Sequence, residues 1–135
     1  MNPPSIRPAL DSRSSRSLLF GFLALAWMAA IFWASSGPVP PVVPDPTLDL
    51  VAKKVGHFLA YALLAVLWWL AVRRELTDRA AIAVALAITI GYAGFDEIHQ
   101  AFTATRNPSS VDVAIDAAGA VIGIWGVVRW FARRP

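Results

Sequence analysis

Four apolar runs, 18–35, 57–72, 80–95 and 113–131, take up most of a 135-residue chain. Each approaches the ~20 residues that, at ~1.5 Å per residue, cross a ~30 Å hydrocarbon core. The pattern predicts an all-α integral membrane bundle of four transmembrane helices, with spans at about 18–36, 54–72, 80–100 and 113–131. Composition agrees, since 57% of residues are hydrophobic and 16% charged, a membrane balance. Cysteine is absent, which excludes disulfides, thiolate metal sites and a cysteine nucleophile. The first run also resembles a secretory signal, with Arg7, Arg13 and Arg16 before it and Ala34-Ser35-Ser36 after it. Its apolar stretch exceeds the ~7 to 15 residues of a signal core, so it is read as an uncleaved span.

Basic residues set the expected orientation. The N-terminal tail carries Arg7, Arg13 and Arg16, the second loop Arg73, Arg74 and Arg79, and the C-terminal end Arg129, Arg133 and Arg134. Only Lys53, Lys54 and Arg106 remain for the other side, so nine against three predicts cytoplasmic termini. Trp33 falls near the outer end of the first span, and Trp68, Trp69 and Trp130 near inner ends, as aromatic belts require. The cations form no stripe, so nucleic acid is not an expected partner. Residues 1–17 read as a disordered cytoplasmic tail, 18–131 as the membrane domain and 132–135 as a short cytoplasmic tail. The segment 37–50, with five prolines, is expected to be an extended outer connector without helix.

Polar residues then converge on the outer side. Lys54, His57 and Tyr61 follow a spacing of three and four, which stacks them on one helix face. Thr89, Tyr92, Asp96, His99, Gln100 and Thr103 form a second stripe, with Glu97 about 100° to its side. Asp112, Asp116, Gly119, Gly123 and Gly126 make a third, whose glycines permit close helix packing and whose acids point into the bundle. The run 80–95 rises only ~24 Å, so a crossing helix must continue through Asp96 to Gln100. Ionisable groups at this depth face the bundle, pair, and mark function. Plainer roles remain open for single residues: Lys53 and Lys54 as snorkelling helix ends, His99 or Gln100 as an interhelical hydrogen bond, and Arg106 as a clamp on Asp112.

The motifs FWASSGP at 32–38, KVGHFLAYALLAVL at 54–67, FDEIHQAFTATR at 95–106 and DVAIDAAGAVIG at 112–123 together resemble the VanZ-like family of small bacterial membrane proteins. Order and spacing carry the likeness, from about Phe20 to Gly126. The resemblance implies a multi-pass protein of the bacterial cytoplasmic membrane, in a family named for a member associated with teicoplanin resistance. It also implies Lys54, His57, Tyr61, Asp96, Glu97, Gln100, Arg106, Asp112 and Asp116 as recurrent positions. Asp116 is often asparagine in that family, so it need not be ionised.

The leading functional expectation is an outer-face pocket for the head group of a membrane lipid or lipid-linked envelope molecule, or for a lipid-anchored antibiotic such as a lipoglycopeptide, with a link to teicoplanin resistance. Its charge is acidic: Asp45, Asp49, Asp96, Glu97, Asp112 and Asp116 against Lys53, Lys54 and Arg106 give 3 − 6 = −3. A phosphate would rely on Lys54 and Arg106. Two other classes remain: an acid–base enzyme using Asp96 or Glu97 with His99 or His57, and a structural network that fixes helix packing. No nucleophile motif is evident. No cofactor is expected; a divalent cation held by His57, His99 and carboxylates is chemically open, but the spacing fits no standard zinc signature. The pattern sets no oligomeric state.

Overall fold

The computed structural model describes residues 12–37, 40–103 and 109–133. Among these the chain forms α1 (Ser12–Ser35), α2 (Pro46–Val72), α3 (Asp78–Ala101) and α4 (Ser110–Ala132). All four are long and apolar enough to cross a membrane.

Two boundary expectations are corrected. Residues 12–17 are helical rather than disordered; they contain no proline or glycine, so α1 propagates into the polar flank. Residues 1–11 and 134–135 lie outside the described residues. The proline-rich connector is also shorter than expected, because α2 begins at Pro46. Proline is excluded from helix interiors but suits the first helical position, where its missing N–H would have no partner anyway. Asp45 caps that turn, its Oδ1 accepting the N–H groups of Thr47 and Leu48 at 2.9 Å each. Thr77 and Ser109 cap α3 and α4 in the same way.

The bundle is turned inside out relative to a water-soluble protein. Most of its fully buried residues are small or polar, such as Ala24, Ala81, Ala85, Ala93, Thr89 and Asp96, with Leu64 and Tyr61 the large exceptions. Phe22, Leu25, Leu59, Leu63, Ile98, Ile122 and Trp125 face outward. Lipid tails are as apolar as leucine, so nothing drives large aliphatic side chains inward, and small residues let the backbones approach.

Helix α2 packs against the other three helices, most extensively against α4, while α1 does not touch α4 among the described residues. Pairings give the directions. Ser35 meets Asp96 and Met28 meets Tyr92, so α1 and α3 run parallel. Phe58 meets Gly119 and Ala62 meets Gly123, so α2 and α4 run parallel to each other, and the short α2–α3 turn makes the two pairs antiparallel. The C-terminal ends of α1 and α3 therefore share one end of the bundle with the N-terminal ends of α2 and α4.

Gly119 and Gly123 create the α2–α4 seam: a Cβ at Gly119 would fall 2.2 Å from the Phe58 carbonyl oxygen, and one at Gly123 2.6 Å from that of Ala62. Gly126, expected in the same seam, has open space around it and no part in the packing. Beyond Gly123 the interface is made by side chains instead. The Trp69 and Phe131 rings meet at 5.5 Å, and the Arg73 guanidinium lies over both, filling the gap that separates the backbones. Trp69 is accordingly buried and not a belt residue. Helix α1 is held by its neighbours' backbone and side chains: Trp27 Nε1 donates to the Ala60 carbonyl at 3.0 Å, and the Tyr92 hydroxyl donates to that of Met28 at 2.7 Å.

Candidate functional site

The polar residues collect at the end where α1 and α3 finish and α2 and α4 start. Local sequence makes this end favourable for acids at two helix N-termini, where Asp49 and Asp112 occupy first turns, and for His99 in the last turn of α3. Helix N-termini favour acids and C-termini favour basic side chains.

Deepest in the layer is Asp96, 1% exposed. Its Oδ2 accepts the Ser35 hydroxyl at 2.8 Å and the Gln100 amide at 3.0 Å, tying α3 to α1 and bracing Gln100 from one turn below. Asp116, also 1% exposed, lies 3.6 Å through Oδ2 from His57 Nδ1. The Tyr61 hydroxyl faces both carboxylates, interacting with Asp96 without a hydrogen bond of good geometry. The second oxygens of Asp96 and Asp116 likewise have no hydrogen-bond partner among the described residues. Buried polar atoms are rarely left in that condition, so this inner layer stores unsatisfied hydrogen-bonding capacity.

Nearer the end of the bundle, Lys54 is engaged by Asp112 and Lys53 by Asp49 at 2.5 Å. Glu97 Oε2 accepts the backbone N–H of Ser109 at 2.7 Å, fastening α3 to the start of α4. These groups surround a cavity of about 140 Å³ between α2, α3 and α4, walled by Lys54, His57, Glu97, Gln100 and Asp112 with Leu50 and Lys53 at its side. A second cavity, about 250 Å³, lies between α1 and α2 and shares Lys53 and His57 with the first.

Most of the expected pocket residues are therefore brought together. Asp96 and Asp116 lie behind the cavity walls rather than in them, and His99 points elsewhere: its Nε2 pairs with the Ser36 hydroxyl at 3.0 Å and its ring stacks on Phe32, so it faces α1 and lines neither cavity. Glu97, placed by periodicity beside the stripe, is 7% exposed and part of the site. The difference arises because α3 is covered by α1, α2 and α4, so its polar face is broader than one stripe. Asp112 pairs with Lys54; Arg106, the clamp expected on it, lies outside the described residues. Lys54 is thereby occupied by a carboxylate instead of being an open phosphate contact. No three His, Asp or Glu side chains converge in metal-binding geometry among the described residues. Ser35 and Lys53 were the functional neighbours hardest to see, although a Ser-Ser pair ending an apolar run is itself a signal of a polar level.

The VanZ/LLP1 family profile matches residues 18–132. No curated protein and no solved structure matches the chain.

Proposed function

The chain belongs to the VanZ/LLP1 family of multi-pass membrane proteins, and we propose that it binds the head group of a membrane lipid or lipid-linked envelope molecule. The carrying observation is the 140 Å³ cavity, into which three membrane helices deliver a lysine, a histidine, an amide and two carboxylates at one level. Charged side chains in a spanning helix are costly unless they face the bundle, pair, or serve a ligand. With Lys53 and Lys54 both held by acids, the wall offers hydrogen-bond acceptors in excess, which suits hydroxyl- or amine-bearing head groups better than a bare phosphate.

The proposed orientation places this end on the outer face of the bacterial cytoplasmic membrane, following the excess of arginine at the opposite end. Single cysteines are clean reporters, since the chain has none of its own. A cysteine at Val42 is expected to react with a membrane-impermeant maleimide in intact cells, and one at Leu76 only after permeabilisation. The reverse pattern would overturn the orientation.

Native mass spectrometry in detergent tests the binding itself. Wild-type protein is expected to retain a lipid adduct, and Asp112→Asn or Lys54→Gln to lower its occupancy about tenfold, equivalent to about 1.4 kcal/mol. Retained lipid together with a lowered melting temperature would mean that the pair is structural. Teicoplanin, added as a probe, tests whether a lipoglycopeptide can take the same place. A second reading, acid–base chemistry on the bound lipid, is favoured by His57, which lines both cavities with Asp116 behind it. The same spectra separate the readings, because a binding protein returns its lipid at unchanged mass.

A further inference from the structure

The cavity between α1 and α2 differs in kind from the polar one. Its apolar walls are Ile31, Ala34, Gly56 and Ala60, and its deepest level, at Ile31 and Ala60, includes Tyr61, which is fully buried. Ser35, Lys53 and His57 bring polar groups to the part nearest the bundle end, beside Ala34 and Gly56. Ala34 and Gly56 are exposed on the outer surface, and Val55, Leu59 and Trp33 around them are exposed as well, so the cavity opens sideways toward lipid. Within α2, Gly56 and Ala60 stand roughly 25 and 20 Å from Arg73 at ~1.5 Å per residue, inside a ~30 Å core measured from that arginine.

Gly56 shows that the space is not a packing seam. At Gly119 and Gly123 the missing side chain lets a neighbouring backbone close in, whereas a Cβ at Gly56 would meet nothing within 4 Å. Among the described residues no backbone closes over Gly56, and the groove shares His57 and Lys53 with the polar cavity as a common wall. Neither cavity alone reaches the ~300 Å³ usual at the lower end of small-molecule sites. A molecule with one apolar and one polar part would use both.

We infer that the α1–α2 groove holds one hydrocarbon chain of the lipid whose head group occupies the α2–α3–α4 cavity, the lipid entering sideways from the bilayer. His57, common to both spaces, stands where the linkage between chain and head would pass. The inference rests on the head-group reading for the polar half of the ligand only; the apolar half stands on the groove.

The test uses full-length protein in detergent micelles, with phosphatidylethanolamine carrying a photoactivatable diazirine in one acyl chain. Saturable labelling is expected in the peptides containing residues 31–35 and 56–61. Filling the groove from either wall, by Gly56→Leu or Ala34→Leu, is expected to reduce it about tenfold, equivalent to about 1.4 kcal/mol. Gly91→Leu, at an exposed α3 glycine with the same open surroundings, is expected to label within about twofold of wild type. Unchanged labelling in both filling variants, or adducts spread evenly over the outward faces of all four helices, would overturn the inference. Groove labelling that falls in the filling variants but not in Asp112→Asn, and is equalled by a diazirine fatty alcohol, would keep the groove and remove the head-group reading.

Discussion

Gly119→Ala is expected to destabilise the bundle more than any other single methyl addition, lowering its melting temperature in detergent by on the order of 10 °C. The added Cβ would lie 2.2 Å from the Phe58 carbonyl oxygen and about 3 Å from two further atoms of the same backbone. A flexible side chain could turn away from such a clash, but α2 cannot, because it also packs on α1 and α3. Separating α2 from α4 would break the α2–α4 alignment that pairs Lys54 with Asp112 and His57 with Asp116. Overpacking in tight interiors costs about 1–3 kcal/mol, and a backbone neighbour places this case at the upper end. Gly126→Ala supplies the control: its Cβ meets nothing, and alanine's better helix propensity is worth up to about 1 kcal/mol in its favour. Thermal denaturation of the two variants side by side is the measurement. Equal melting temperatures would mean that the seam is not as close as described.

That contrast marks what one-dimensional pattern can and cannot carry. The four spans were legible because hydropathy over ~20 residues is imposed by the bilayer itself. The convergence of Lys54, His57 and Tyr61 with Asp112 and Asp116 was legible because spacings of three and four place residues on a common helix face. Periodicity does not say which neighbour covers that face. Gly126 continues the glycine repeat, yet it faces open space, and about a turn further on the α2–α4 contact is made by Trp69, Phe131 and Arg73. His99 continues the Asp96 stripe, yet α1 rather than α2 or α4 receives it.

Partner choice was hidden for the same reason. Lys54 and Asp112 are 58 residues apart, and only the parallel register of α2 and α4 brings them together. Pro46 illustrates a local rule applied too broadly: the proline count of 37–50 argued against helix, while the Asp45-Pro46 pair inside it was a helix start.

Asp96 offers the largest separable effect on the site. Asp96→Ala would leave the Ser35 hydroxyl and the Gln100 amide, both nearly inaccessible to solvent, without the acceptor they share. Each unsatisfied buried group costs about 1–3 kcal/mol, so a loss of about 2–6 kcal/mol in stability is expected, accompanied by loss of bound lipid. Asp96→Asn keeps the shape and one carbonyl oxygen, which can accept both donors through its two lone pairs. Its new amide would take the place of the unpartnered Oδ1 beside the Tyr61 hydroxyl, which can accept from it. Asparagine is therefore expected to fold nearly as well as aspartate and to retain lipid, because Asp96 reaches the cavity only by positioning Gln100. Gln100→Ala should separate the two roles, with a small fall in melting temperature and a large fall in lipid occupancy by native mass spectrometry. Damage from Asp96→Asn equal to that from Asp96→Ala would show instead that the site depends on a charged carboxylate at this depth, and the positioning account would fail.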